Sequence, residues 1–88
     1  KSRAERSAVT EVDLRGMASD EAILELDSFI DNAVLSGMDT IRIIHGKGTG
    51  VLRKNVQAHL RHHKSIQSFR LGTFGEGENG VTIAEINK

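Results

Sequence analysis

Apolar and polar positions alternate with a period of two from Thr10 to Leu14: Val12 and Leu14 fall on one side, Glu11 and Asp13 on the other. That pattern predicts a short strand with one buried face, which Arg15-Gly16 ends. The period then lengthens. Ile23, Leu26, Ile30, Ala33 and Val34 recur at helical spacing, with Ser19 placed as N-cap and Gly37 as the stop. Asp20 and Glu21 fall in the first turn, where carboxylates suit the helix dipole. Thr40 to Ile44 is a β-branched run that predicts a second strand, leading straight into His45-Gly46-Lys47-Gly48-Thr49-Gly50. A second helix is predicted from about Thr49 to His63, with Leu52, Val56 and Leu60 on its buried stripe and Arg53, Lys54 and Arg61 on its exposed face. Two last strands, about Ile66 to Thr73 and Val81 to Ile86, flank a Gly- and Glu-rich turn at Gly75 to Gly80 and should pair as a hairpin.

The order βαβαββ predicts an α/β protein, a two-layer sandwich of a mixed four-stranded sheet and two helices, its first three strands joined by right-handed crossovers. Both helices are expected on one face, which leaves the other partly polar, covered or used for binding. Eighty-eight residues make one domain. Residues 1–8, KSRAERSA, are polar and aperiodic and are expected to be a disordered linker remnant, with the domain at 9–88. There is no Cys, which excludes a disulfide framework, a thiolate nucleophile and a cysteine zinc site. No apolar run approaches the roughly 20 residues that span a bilayer, so no membrane partner is expected and the protein should be soluble and cytoplasmic.

Charge changes the picture more than composition does. The formal net charge is +0, yet Glu11 to Asp39 holds eight acids against the single base Arg15. Thr40 to Gly75 holds no acid; Arg42, Lys47, Arg53, Lys54, Arg61, Lys64, Arg70 and all four histidines fall there. A neutral domain can therefore present one basic face to a polyanion. The alternative is two solvated helix faces of opposite sign.

In a parallel βαβ arrangement the loops beyond the carboxyl ends of the strands converge, so Asp13, Arg15, His45 and Lys47 should share an edge. Glycines at alternate positions let the backbone adopt φ > 0 and approach a ligand, and the loop opens into a helix whose free N–H groups favour an anion. The spacing is neither a Walker A loop nor G-x-G-x-x-G. Composition alone leaves two readings open, a phosphate cradle or a merely tight connection. His45 can exchange a proton near neutral pH or serve as a structural hydrogen-bonding group. Asp13 can orient that imidazole, hold a metal ion or pair with Arg15; Arg15 can fork onto a phosphate. His59 and His63 have the i, i+4 spacing that can bind zinc, but the sequence offers no evident further ligand.

The strand end VDLRG (12–16), HGKGTGVLR (45–53), FRLG (69–72) and NGVTIAEI (79–86) together resemble, in order, the signatures of the small MutS-related (Smr) family. Within it the pattern is most similar to the C-terminal domain of the second, recombination-suppressing bacterial MutS paralogue. The resemblance implies a βαβαββ fold like the C-terminal domain of a bacterial translation initiation factor. It also implies nicking of DNA without sequence preference, while other members act on RNA or stalled ribosomes. Carried onto this sequence, it points to Asp13, Arg15 and Gly16 in the first motif and to His45, Gly46, Lys47, Gly48, Thr49, Gly50 and Arg53 in the second. RNA-cleaving members often carry Asp-x-His in the first motif; here the third position is Arg15, so a second imidazole is missing.

Three functions follow as expectations. In a nicking endonuclease, His45 would act as general acid or base oriented by Asp13, with Lys47 and Arg15 stabilising charge and a single divalent metal ion compatible with Asp13. In a binding module, the loop and the basic second helix, with Lys54 and Arg61, would hold duplex or branched DNA, or RNA. Three Phe and no Trp or Tyr leave little for a base-stacking platform. In a docking module the target would be a ribosome. The resemblance further implies a parent protein with an upstream ATPase that binds ATP and dimerises, the isolated domain being a monomer.

Overall fold

The computed structural model describes residues 9–87; the expected linker remnant at 1–8 lies outside the described residues. The chain runs β1 (Val9–Asp13), α1 (Ser19–Leu35), β2 (Thr40–Ile44), α2 (Val51–Arg61), β3 (Ile66–Leu71) and β4 (Val81–Ile86), with one 3₁₀ turn at Glu78–Gly80. The sheet order is β1-β2-β4-β3. β1 pairs parallel with β2, placing Asp13 opposite Ile44, and β4 runs antiparallel between β2 and β3. β1, β2 and β3 therefore share a direction, and β4 takes the place between β2 and its own hairpin partner. The two interior strands, TIRII and VTIAEI, are the most apolar, as strands flanked on both edges require.

Ile41 and Ile43 of β2 and Ala84 and Ile86 of β4 point to one face. There they meet Ala22, Leu26, Ile30 and Ala33 of α1 and Val56 and Leu60 of α2 in a single core, so both helices cover the same side of the sheet. This is the expected two-layer sandwich. The opposite face mixes Ile44, Val81 and Ile83 with charged side chains and is held down by arginines. Arg42 donates to Glu11 Oε1 at 2.6 Å and, through Nε and Nη2, to the Glu76 carbonyl at 3.2 and 3.0 Å. Arg70 forks onto the Glu76 carboxylate at 2.7 and 3.1 Å. These bonds draw the β3–β4 loop back against the sheet, where Gly77 packs so closely on Val81 that a Cβ would lie 2.3 Å from it.

Several element ends differ from the sequence expectation. Ser19 is not the N-cap of α1; Ala18 is, without a side-chain cap, and the Ser19 hydroxyl instead accepts a bond from Asn55 Nδ2 of α2 at 2.8 Å. α2 starts at Val51 because Gly50, with φ +87°, cannot be helical, and it ends at Arg61 in a turn that holds His62 and His63. β3 stops at Leu71, with a bulge between Ile66 and Ser68, and β1 is shifted by one residue to Val9–Asp13. Leu14 still extends the β1 ladder through its N–H to Ile44 O at 2.7 Å. Val34 faces solvent while Ala33 beside it is buried, and Leu52 packs half-buried against the edge of the core.

Candidate functional site

Because β1, β2 and β3 point the same way and β4 starts where they end, the segments after β1, after β2 and before β4 meet at one edge. The N–H groups of His45 and Gly46 both donate to the Gly80 carbonyl, at 3.1 and 2.9 Å, tying the β2–α2 loop to the entrance of β4. Arg15 crosses the same loop: a Cβ on Gly46, whose φ is +83°, would sit 3.3 Å from Arg15 Cγ. Asp13, Arg15, His45 and Lys47 thus do share an edge.

Beyond His45 and Gly46 the loop amides are uncommitted. Among the described residues, the N–H groups of Lys47, Gly48, Thr49 and Gly50 donate to no protein acceptor, and Val51 N–H has only the Thr49 hydroxyl at 3.4 Å. A cavity of about 340 Å³ opens over them, lined by Gly16 to Ser19 at the start of α1 and by His45 to Arg53 at the start of α2. Neither helix has a side-chain cap. Two positive helix ends therefore converge on one space, where side chains meet only the first-turn N–H groups of Glu21, bonded to Asp20 Oδ1 at 2.9 Å, and of Val51, among the described residues. Gly16 and the glycines Gly46, Gly48 and Gly50 leave that space open, and the Arg53 guanidinium folds over Gly50, where a Cβ would lie 2.9 Å from Nη2. Lys47 stands at the rim, 3.7 Å from Glu78 with both side chains more than half exposed. Such a pair is worth at most about 1 kcal/mol and yields readily to a stronger anion.

The basic stripe continues along α2. Arg42 and Arg70 are committed to Glu11 and Glu76, whereas among the described residues Arg53, Lys54, Arg61 and Lys64 make no salt bridge. Arg61 lies 5.7 Å from the Phe69 ring centroid, steadied there by the cation–π contact. The expected basic face is therefore α2 with its entry loop. The other bases of the acid-free stretch serve the far side of the sheet.

For Asp13 and His45 the structure selects among the roles that the sequence left open. Asp13 does not reach His45: its carboxylate takes the Arg15 side chain at 2.9 and 2.7 Å and the Arg15 N–H at 3.0 Å. Hydrogen bonds from Arg15 hold the Asp13 carboxyl down to about 2, and Asp13 in turn raises Arg15. A divalent ion at Asp13 would have to displace a guanidinium, so these residues do not fit one. His45 is only 5% exposed. Its Nδ1–H donates to the Gly46 carbonyl at 3.0 Å, and its Nε2 lies 2.8 Å from the Thr82 hydroxyl. Burial pushes the imidazole below its ordinary value, the bond to Gly46 opposes this, and the charge of Arg53 adds to the lowering.

Thr82 and Gln57, which donates to the Thr82 hydroxyl at 3.1 Å, complete this arrangement, and sequence reasoning missed both. The available signal was Thr82 itself, a polar side chain at a helix-facing position of an otherwise apolar strand, which needs a partner.

Known proteins share both the sequence and the fold of this chain. Endonuclease MutS2 of Caldicellulosiruptor saccharolyticus is 51% identical over 82 residues, covering 93% of this chain and 10% of that protein. The Staphylococcus carnosus protein of the same name is 55% identical over 86 residues, 97% of this chain and 11% of the relative. The chain thus spans about a tenth of the length of the curated relatives it matches. Among solved structures, the Smr domain of Thermus thermophilus MutS2 superposes with a TM-score of 0.88 at 43% identity, covering 90% of this chain and 99% of that one. YdaL, a stand-alone small MutS-related protein from Escherichia coli, shares the fold with a TM-score of 0.84 at 24% identity over 89% of this chain and 64% of its own. The Smr domain model matches residues 12–87, which takes in both motif loops and all of the sheet but its first strand residues, and the chain belongs to the Smr domain family.

Proposed function

We propose that this domain grips the backbone of duplex or branched DNA in the cavity between its two helix N-termini and nicks it. It would do so as the nuclease domain of a larger MutS-like ATPase acting in recombination suppression. The convergence of two uncapped helix ends on the free amides of the Gly48–Gly50 loop, flanked by Lys47 and Arg53, carries the proposal. The Endonuclease MutS2 relatives support its chemical part.

In nicking, a water oxygen adds to phosphorus while one ester P–O bond breaks, and the proton given up by the water ends on the departing oxygen. Negative charge gathers on the non-bridging oxygens, where preorganised amides, Lys47, Arg53 and Arg15 stabilise it. His45, buried and engaged at both nitrogens, acts in this scheme as a positioning residue that fixes the Gly46 carbonyl and hence the loop. No divalent ion is assigned to Asp13.

The same burial of His45 favours a second reading, a DNA- or RNA-binding module without chemistry. Wild-type protein free of host nuclease is expected to convert supercoiled plasmid to nicked circles and to bind duplex DNA with a steep salt dependence. Salt-sensitive binding with no nicking under any divalent metal leaves only the second reading. Affinity that does not change with salt removes both.

A capping substitution separates binding from folding. Ala18→Asp places a carboxylate beside the Asp20 N–H, since the next first-turn amide, Glu21, is already bonded to the Asp20 carboxylate, and the expected gain in folding stability is at most about 1 kcal/mol. The same carboxylate occupies the anion site and repels phosphate, so DNA affinity should fall as the melting temperature rises. Parallel thermal melts and binding titrations check both signs.

A further inference from the structure

We propose that Asp27, His59 and His63 form a binding site for a divalent ion of the zinc class, at the far end of α2 from the glycine loop. His59 lies in the last turn of α2 and His63 in the turn that follows the helix, and α1 supplies the third ligand that the sequence alone did not reveal. Asp27 Oδ1 lies 2.5 Å from His59 Nε2 and 3.5 Å from His63 Nε2, and the three ligand atoms are all within 4.8 Å of one another. A tetrahedral ion with metal–ligand bonds of about 2.0–2.2 Å needs its ligand atoms roughly 3.3–3.5 Å apart. The Asp27–His63 separation already matches that value and the Asp27–His59 pair needs to open by about 1 Å, so small side-chain rotations seat an ion. The two rings stand edge to face, 5.8 Å apart at 71°, which directs both Nε2 atoms at the carboxylate instead of stacking them.

The surroundings suit a bound ion. A cavity of about 460 Å³ lies over the three side chains, bordered also by Asp31, His62, Lys64 and Ser65. Asp31 follows Asp27 by one helical turn, so it or a water can complete the coordination. Lys64 is the opposing charge at the rim. The ligands are 28%, 15% and 44% exposed for His59, His63 and Asp27, partly screened from water yet open to entry. Two imidazoles with one carboxylate select zinc, nickel, copper or cobalt over magnesium or calcium. The ion would tie α1 to the end of α2 and hold the basic stripe of that helix in place.

One bond must yield when the ion enters. Ser65 N–H donates to His63 Nδ1 at 3.1 Å, so the neutral ring carries its proton on Nε2. Metal at Nε2 moves that proton to Nδ1, where it meets the Ser65 N–H. The Ser65 amide therefore turns away, and it reports occupancy by a route independent of activity.

Zinc sulfate titrated into the tag-free chain should bind one to one, raise the melting temperature and shift the His59, His63 and Ser65 NMR signals together. Replacing a ligand, as in His63→Ala or the shape-preserving Asp27→Asn, should weaken binding by roughly a hundredfold, the upper end of what even outer-shell partners cost. His62→Ala, which borders the cavity without being a ligand, should bind zinc as the wild type does. No binding at millimolar zinc, wild-type affinity in His59→Ala/His63→Ala, or an equal loss in His62→Ala each overturns the site. Asp27→Asn keeps the test decisive if the histidine variants fail to fold.

Discussion

Replacing Lys47 and Arg53 together by alanine is expected to weaken duplex DNA binding roughly sixtyfold near 0.1 M salt, because each lost phosphate contact forgoes about 0.9 of a released counterion, about eightfold. The slope of log affinity against log salt should become shallower by about 2. Both side chains flank the uncommitted amides, Lys47 at the rim and Arg53 over Gly50. Neither is locked in a competing bond. The Lys47–Glu78 pair is exposed and 3.7 Å long, and Arg53 makes no salt bridge among the described residues. Stability should hardly change, since neither side chain belongs to the core. Fluorescence anisotropy over a salt series, beside a thermal melt, measures all three quantities. Wild-type affinity and slope in a folded double variant would remove this edge from the nucleic-acid interface and with it the proposed function.

The parts of this picture legible in the sequence are those governed by local periodicity. β2 and β4 were read to the residue because Thr40–Ile44 and Val81–Ile86 are β-branched runs between clear breaks at Gly37–Asp39, His45-Gly46 and Asn79-Gly80. Element ends set by distant partners were not. Nothing near Ser19 announces that its hydroxyl is taken by Asn55 across the helix pair, so a local capping rule assigned it wrongly. Ala33 and Val34 both fit a helical stripe, but their neighbours on a helix point in different directions, and the sheet admits only the smaller one. At the site, the parallel topology is enough to bring Asp13, Arg15, His45 and Lys47 to one edge, whereas the close approach of Arg15 to Gly46 shows only in the folded chain. Spacing could not say that Asp13 would be saturated by Arg15, two residues on, before it could reach an imidazole. The third ligand near His59 and His63 was hidden for the same reason: Asp27 reads as one of several acids on α1 until the helices are packed.

Loss of the His45 side chain is expected to cost about 2–4 kcal/mol of folding stability, the sum of a cavity and of polar groups left without partners. The Gly46 carbonyl can only accept, so Nδ1 carries the proton, and Nε2 is then free to accept from the Thr82 hydroxyl. That hydroxyl accepts in turn from Gln57 Nε2, so a directed chain of three bonds runs from α2 through β4 to the loop. Thr82 is fully buried, so His45→Ala strands its hydroxyl away from solvent and releases the Gly46 carbonyl. The loop should loosen, and DNA affinity should fall with stability. The pH dependence follows from the lowered pKa of His45. The unfolded chain takes up a proton near the ordinary value of about 6.5, whereas the folded protein resists it until lower pH. Stability from His45 is therefore fully present above about 6.5 and drains away as pH falls from there toward the lowered folded value. Urea unfolding of wild type and His45→Gln at pH values on either side of that point isolates the effect: the difference between them should shrink on acidification. A difference that stayed constant with pH would mean that His45 is not held neutral. An unchanged midpoint in His45→Ala would show that the chain from Gln57 through Thr82 does not hold the loop.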